Sequence, residues 1–338
     1  MARAMILGCA GLRLTADERQ FFARVNPLGF ILFARNIDTA DQVRALVSEL
    51  RQAVARPDTP ILIDQEGGRV QRLRPPHWRA APPAARFGDL AASSPNAAVE
   101  AARLNAQLIA SDLADLGIDT VCAPVLDLHF GGAHAVIGDR AYSSDPAVVA
   151  QLGRAACDGF RAAGVTPIVK HAPGHGRGLV DSHLSLPVVD ASRTELEASD
   201  FRPFKDLADM PWAMTAHVVY RAIDPERPAT TSPLVVAQII RGAIGFDGIL
   251  IGDDLSMEAL AGSIAERAAA TLAAGCDLAL HCNGKMDEMT PLADVVPEIR
   301  AATAVRLART ARQGTPGRID VASSVQRLEQ LLSGNVHA

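Results

Sequence analysis

Val165-Thr166-Pro167-Ile168-Val169-Lys170-His171-Ala172-Pro173-Gly174-His175-Gly176 is the stretch that decides the fold of this chain. Its first five residues are mainly apolar and predict a buried strand. Lys170 and two histidines follow at the carboxyl end of that strand, on a loop broken by proline and glycine. Loops on a rigid scaffold commonly carry chemistry, and imidazole changes its charge near neutral pH. The stretch therefore indicates an enzyme.

Seven further short segments rich in Val, Ile and Leu recur along the chain, as expected of parallel strands buried on both faces. The eight predicted strands are Ala4–Gly8, Gly29–Phe33, Ile61–Asp64, Thr120–Val125, Pro167–Lys170, Trp212–His217, Gly248–Gly252 and Cys276–His281. Helical patterns between them open at the capping box Thr15–Glu18 and cover Ala40–Ala55, Asn96–Leu116, Pro146–Ala163, Arg193–Leu207, Pro233–Ile244 and Met257–Ala274. The alternation of eight strands with helices predicts an α/β fold, a (β/α)8 TIM-type barrel.

The structural rival is a doubly wound open sheet, but no G-x-G-x-x-G follows the first strand. We expect residues 1–338 to form a single catalytic barrel, with C-terminal helices from about residue 285 covering it. Arg74–Pro83 is predicted to be a proline-rich loop within the barrel. No repeat or linker indicates a second domain.

Composition narrows the function classes. The chain has 338 residues, 49% of them hydrophobic, and a net charge of −5 without a basic cluster, so nucleic acid is an unsuitable partner. No apolar run approaches the ~20 residues of a membrane span, and no signal peptide is evident. Five scattered cysteines form no C-x-x-C pair. We therefore expect reduced thiols in a cytoplasmic protein, without a disulfide framework or zinc site.

Polar residues concentrate where the predicted strands end, the face on which barrel enzymes build their sites. These groups are Asp64-Gln65-Glu66, Asp127, Lys170-His171, His217, Asp253-Asp254 and His281-Cys282-Asn283. The acids and arginines between Asp64 and Arg72 suit the binding of sugar hydroxyls, because carboxylates accept and guanidinium groups donate hydrogen bonds. An internal salt bridge is the alternative interpretation of that segment.

Two carboxylate motifs fit acid–base and nucleophilic chemistry. In extended backbone, Asp181 and His183 point to the same side, so the aspartate could orient a proton-transferring imidazole. The alternative is a capping aspartate beside a surface histidine. Asp253 and Asp254 end a buried strand, and we expect one to face the barrel mouth, where it could attack an anomeric carbon. We expect Asp254 to cap a helix that begins near Ser256.

Two further functions stay open on these residues. One is a metal-dependent barrel hydrolase that uses His171, His175, His183 and an aspartate. Pro173-Gly174 breaks the helix on which an i, i+4 histidine pair would bind metal, and no H-E-x-x-H is present. The other is a barrel that binds sugar without cleaving it.

Lys170-His171-x-Pro-Gly-His-Gly, Asp181-Ser182-His183 and Gly252-Asp253-Asp254-Leu255, together with Asp64–Arg72 and Arg140, resemble the single-domain bacterial β-N-acetylglucosaminidases of glycoside hydrolase family 3. The resemblance implies that Asp253 is the nucleophile, His183 the general acid/base and Asp181 its dyad partner. It also implies which residues grip the terminal N-acetylglucosamine: Asp64, Arg72, Arg140, Lys170 and His171.

By this resemblance the enzyme is a retaining exo-glycosidase of cell-wall recycling, acting in the cytoplasm on small amino-sugar fragments of peptidoglycan. It needs no cofactor, metal or protein partner. Because a histidine base carries no negative charge, phosphate is an alternative acceptor to water. Two positions depart from the family pattern: Ala172 stands where phenylalanine is usual, and Gly252 where serine is usual.

Overall fold

Eight parallel strands form the centre of the computed structural model, which describes residues 1–131, 137–178, 185–310 and 319–334. The strands are β1 (Arg3–Leu7), β2 (Pro27–Leu32), β3 (Ile61–Ile63), β4 (Thr120–Val121), β5 (Thr166–Ala172), β6 (Trp212–Thr215), β7 (Ile249–Ile251) and β8 (Ala279–His281). They pair in the order β7-β6-β5-β4-β3-β2-β1-β8. A parallel bridge between Ile251 and Leu278 joins the two ends. The predicted α/β barrel is confirmed.

The strands are short and apolar because both of their faces are covered. Ile249, Leu250 and Ile251 of β7 are all 0% exposed, and so are the three residues of β3. One face of each strand fills the barrel and the other packs against the helices, which explains why these segments lack polar alternation. All five cysteines are buried free thiols.

Eleven α-helices surround the strands in the described part of the chain. They are α1 (Ala16–Val25), α2 (Ala40–Ala53), α3 (Ala85–Ser93), α4 (Pro95–Asp115), α5 (Pro146–Ala162), α6 (Arg193–Ala198), α7 (Arg202–Asp206), α8 (Ile264–Ala274), α9 (Met286–Val295), α10 (Ala301–Thr310) and α11 (Val321–Leu332). Val235–Ala243 forms a π-helix, and Ala34–Asn36, Gly138–Arg140 and Ala229–Thr231 are short 3-10 turns. Among these described helices, none combines the length and apolarity needed to cross a bilayer.

Two helix predictions were wrong in their bounds. The helix expected over Met257–Ala274 begins only at Ile264, because Ser263 and Glu266 form a reciprocal capping box there. Asp254 therefore does not cap a helix near Ser256. The helix expected over Arg193–Leu207 is divided into α6 and α7.

Helix α3 was not predicted, and Gly88 explains why. A glycine inside a helix weakens the helical signal of the sequence. A Cβ at Gly88 would lie 1.6 Å from the carbonyl oxygen of Tyr142, so the packing of α3 requires a residue without a side chain. The C-terminal helix α11 packs Leu328 and Leu331 against the same layer.

Candidate active site

A cavity of about 270 Å³ lies where the barrel strands end. Six of the predicted site residues line it: Asp64, Arg72, Arg140, Lys170, His171 and Asp253. They lie on β5 and on the loops that follow β3, β4 and β7. Apolar side chains of Phe33, Met214 and Met257 complete the wall. Asp181 and His183 lie outside the described residues.

Lys170 is the charged residue at the base of the cavity, and it is only 2% exposed. Its Nζ lies 2.8 Å from Asp64 Oδ1 and 2.7 Å from Glu66 Oε1. Burial acts to lower the pKa of Lys170, but these two carboxylates hold it above its ordinary value. The residue is therefore a permanent cation at neutral pH, suited to donating hydrogen bonds rather than protons.

The acidic partners of Lys170 lie directly after β3: Asp64 follows the strand, and Glu66 is part of a hairpin. The strands Gln65–Gly67 and Val70–Gln71 pair antiparallel, and the turn between them contains Gly67 and Gly68 with φ of 104° and 56°. Gln65 Oε1 accepts the backbone N–H groups of Arg72, at 2.7 Å, and Leu73, at 3.0 Å. This buried amide fixes Arg72 beside Asp64, 3.1 Å away.

Glu66 and Arg140 form a second ion pair with two hydrogen bonds of 2.8 Å each. Burial acts to raise the pKa of Glu66, but the charges of Arg140 and Lys170 lower it to about 2. Burial also acts to raise the pKa of Asp64, but Lys170 and Arg72 hold that pKa well below its usual range. Both carboxylates are ionised at neutral pH, so the cavity floor is an alternating network of fixed charges.

His171 is oriented by Asp127, a buried carboxylate in the loop that follows β4. Asp127 Oδ2 lies 2.6 Å from His171 Nδ1. Its Oδ1 accepts the backbone N–H groups of His175, at 2.6 Å, and His171, at 3.3 Å. Since a carboxylate only accepts, Nδ1 carries a proton and Nε2 is the atom left for a ligand.

His175 lies beneath this pair and is 3% exposed. Burial lowers its pKa to about 4, so it is neutral near pH 7. Across residues 1–131, 137–178, 185–310 and 319–334, no three His, Cys, Asp or Glu side chains are grouped as metal ligands.

Asp253 and Asp254 both reach the cavity but make different contacts. Asp253 Oδ1 accepts the backbone N–H of Asp254 at 2.8 Å. Burial acts to raise the pKa of Asp253, but His217 and His171 hold it below its ordinary value. Asp254 Oδ1 instead accepts the N–H groups of Ser256 and Cys282, both at 3.1 Å. Asp254 thus joins the loops after β7 and β8, and Asp253 keeps an ionised carboxylate toward the cavity.

From the sequence, Glu66 is only one of the acids between Asp64 and Arg72 that suit sugar hydroxyls, and Asp127 has no predicted role. Both stand at the end of an apolar strand segment, which marked them as candidates. Their partners, Arg140 and His171, lie 74 and 44 residues further along the chain. Only the closed barrel brings these pairs together.

A (β/α)8 barrel with this charged, carboxylate-bearing mouth belongs to the class of barrel glycoside hydrolases. Residues 5–312 match the model of the glycosyl hydrolase family 3 N terminal domain. The chain therefore belongs to glycoside hydrolase family 3, and it is an enzyme of that hydrolase class.

Individual relatives agree with this assignment. The chain is 43% identical to a beta-hexosaminidase of Alkalilimnicola ehrlichii over 286 residues, which cover 82% of this chain and 80% of that protein. It is 39% identical to a beta-hexosaminidase of Xanthomonas oryzae pv. oryzae over 318 residues, or 93% and 91% of the two chains. It also resembles NagZ from Neisseria gonorrhoeae in complex with N-trifluoroacetyl-D-glucosamine, with 34% identity, 98% coverage of each chain and a TM-score of 0.88.

Proposed function

We propose that this enzyme is a retaining exo-β-N-acetylglucosaminidase that removes terminal, non-reducing, β-linked N-acetylglucosamine. The observation that carries the proposal is the convergence of Asp64, Arg72, Arg140, Lys170 and His171 around the Asp253 carboxylate in one cavity. The beta-hexosaminidase and NagZ relatives support the choice of an N-acetylated amino sugar.

In the proposed reaction, the sugar hydroxyls exchange hydrogen bonds with the charged network on the cavity floor. Carboxylates of Asp64 and Glu66 accept, and Lys170 and the arginines donate. Asp253 attacks the anomeric carbon and forms a glycosyl ester, while the leaving oxygen takes a proton. A water molecule then loses a proton and opens the ester, which restores the original configuration.

The proton is assigned to His183, with Asp181 as its partner. Both assignments rest on the Asp181-Ser182-His183 motif, since these residues lie outside the described part of the chain. We extend the proposal to the substrate: cytoplasmic N-acetylglucosaminyl-anhydromuramyl fragments released during cell-wall recycling. Products formed in phosphate buffer decide between water and phosphate as the acceptor.

The test uses a chromogenic β-N-acetylglucosaminide and a fluorinated analogue that traps the covalent intermediate. We expect Asp253→Ala to fold and to lose turnover, and the wild-type enzyme to carry one sugar on Asp253. Peptide mapping by mass spectrometry distinguishes Asp253 from the adjacent Asp254. An active Asp253→Ala enzyme, or a label on Asp254, would overturn the nucleophile assignment.

A further inference from the structure

His217 lies beside the proposed nucleophile but does not contact it through a hydrogen bond in the described structure. It follows β6, is 0% exposed and lies among side chains that are equally buried. Its Nε2 is 3.0 Å from the backbone carbonyl oxygen of Asp254, and its Nδ1 is 2.7 Å from Thr230 Oγ1. The imidazole therefore joins the loop after β6 to the loop after β7.

These contacts determine where the protons are. A carbonyl oxygen only accepts, so Nε2 must carry the hydrogen. Burial lowers the pKa of His217, against the opposing effect of Asp253 and Asp254, and His171 lowers it further. The imidazole is accordingly neutral, and its Nδ1 is an acceptor.

The hydroxyl of Thr230 must then donate to His217 Nδ1. Its oxygen also lies 2.8 Å from Thr215 Oγ1 and 3.0 Å from the carbonyl oxygen of Ala216. A hydroxyl has one proton, so when Thr230 donates to His217 Nδ1 it does not also donate to the Ala216 carbonyl. The Thr230 oxygen then accepts a hydrogen bond from the hydroxyl of Thr215.

Together, the contacts form one directed series that ends at the nucleophile. Thr215 donates to Thr230, Thr230 to His217, and His217 to the carbonyl of Asp254. The backbone N–H of that same residue donates to Asp253 Oδ1 at 2.8 Å. Hydrogen bonds in series polarise one another, and two fixed ends leave the backbone of Asp254 little freedom to rotate.

We propose that His217 is a positioning residue for Asp253, and that the hydroxyl of Thr230, by donating to Nδ1, holds the imidazole in the orientation that this role requires. The inference rests on the proposed function, because it assumes that Asp253 is the nucleophile. Thr230 itself does not line the cavity. Its loss should therefore affect the reaction and not the binding of the sugar.

The decisive variants are Thr230→Val, which removes the hydroxyl, and Thr230→Ser, which keeps it. We expect kcat/KM of Thr230→Val to fall about tenfold to hundredfold, since small misplacement of a reacting group has effects of this size. Thr230→Ser should restore kcat/KM close to the wild-type value. The dissociation constant of N-acetylglucosamine should stay unchanged in both variants.

Thr303→Val is the matched control. Thr303 is also 0% exposed and donates to a buried carboxylate, Asp277, at 2.7 Å, far from the cavity. It should alter the melting temperature without lowering kcat/KM. The tautomer is measured by ¹⁵N NMR of labelled histidine, with the His217 signal assigned from His217→Gln. Wild type should show the Nε2–H tautomer, and the Nδ1 signal should shift in Thr230→Val, which lacks the hydroxyl that donates to it.

Unchanged kcat/KM in Thr230→Val would overturn the inference, and so would an equal loss in Thr230→Ser. A wild-type His217 signal typical of the Nδ1–H tautomer would also overturn it. Asp253→Ala in the same assay separates this result from the proposed function. If Asp253→Ala is inactive and Thr230→Val is fully active, only the role of His217 is refuted; if Asp253→Ala is active, the nucleophile itself is wrong.

Discussion

Glu66 and Arg140 form a two-bond ion pair in the wall of the cavity, with both hydrogen bonds 2.8 Å long and the Glu66 side chain only 8% exposed. Neither residue can be removed without leaving the other charge buried. Because Glu66 also contacts Lys170 at 2.7 Å, one carboxylate holds two of the cations that face the substrate. The pair thus links the stability of the barrel mouth to its capacity to bind sugar.

The first prediction concerns Glu66→Gln. Breaking one side of a buried ion pair costs about 3–5 kcal/mol, because the remaining charge stays desolvated. We expect a lower free energy of unfolding in urea and a higher KM, since Arg140 and Lys170 lose a shared counter-charge.

Glu100→Gln is the control for that variant. Glu100 also forms a two-bond pair, with Arg327 at 2.7 and 3.0 Å, but on the surface. Its loss should cost at most about 1 kcal/mol and leave KM unchanged. Equal destabilisation of the two variants would contradict the assigned role of burial.

The second prediction is that Asp127→Asn reverses the tautomer of His171. The Oδ1 position must remain an acceptor for two backbone N–H groups, so the new amide NH2 has to face His171 Nδ1. With its Nδ1 accepting from that amide, His171 would carry its hydrogen on Nε2, the atom that faces the ligand. We expect kcat/KM to fall about tenfold to hundredfold, as for the loss of a buried hydrogen bond worth roughly 1–3 kcal/mol.

Asp119→Asn provides the comparison for this effect. Asp119 is a buried carboxylate that accepts the N–H of Ile61 at 2.9 Å, at the opposite end of β3. Asp119→Asn should lower the free energy of unfolding and leave kcat/KM unchanged. Wild-type kinetics in Asp127→Asn would show that the His171 tautomer does not matter.

The third prediction is that Gly252, the residue before the proposed nucleophile, does not tolerate a side chain. A Cβ at Gly252 would lie 2.8 Å from Thr271 Cγ2 and 3.2 Å from Thr230 Cγ2. The Thr271 side chain cannot turn away freely, because its Oγ1 donates to the Arg267 carbonyl at 2.8 Å. Gly252→Ser should therefore destabilise the protein by about 1–3 kcal/mol through overpacking.

Thr271→Ser removes the obstructing methyl group and keeps the hydroxyl. In a double-mutant cycle followed by urea unfolding, it should recover part of the stability lost in Gly252→Ser. Additive losses in the double variant would argue against steric compensation between the two positions.

The fourth prediction is a loss of stability in mild acid. His175 has its pKa lowered from 6.5 to about 4, so between these pH values the unfolded chain binds a proton that the folded chain does not. Stability must therefore fall as the pH drops through this window, by roughly 3 kcal/mol in total for this group. The contribution is fully present above pH 6.5.

Urea unfolding between pH 7.5 and 4.5 measures this effect. The free energy of unfolding of the wild type should decline more steeply below pH 6.5 than that of His175→Gln, whose side chain does not titrate. Parallel curves for the two proteins would refute the assignment. Glu66, with its pKa lowered to about 2, contributes only at lower pH, from 4.5 downward.

Much of the fold could be predicted from local sequence. Strand segments buried on both faces must be apolar throughout, so β3 and β7 stand out without any knowledge of their partners. Predictions from local sequence were wrong where contacts between remote residues determined the structure. Helix α3 was missed because it contains Gly88, and the reason for a glycine there is the close approach of Tyr142, which is remote in sequence. Helix α8 begins later than predicted, because turns follow Asp254 and the helix is capped only at Ser263.

The sequence by itself determined the barrel and the face on which its site lies, because polar residues at the ends of buried parallel strands must meet at one face. Only the tertiary structure decided which side chains of the site form ion pairs and hydrogen bonds with one another. Glu66 gains Arg140 and Lys170, and His217 gains Thr230 and the Asp254 carbonyl, only when the strands close in register. Charge pairing and proton positions depend on distances of a few ångströms between remote segments, and no local pattern encodes those distances.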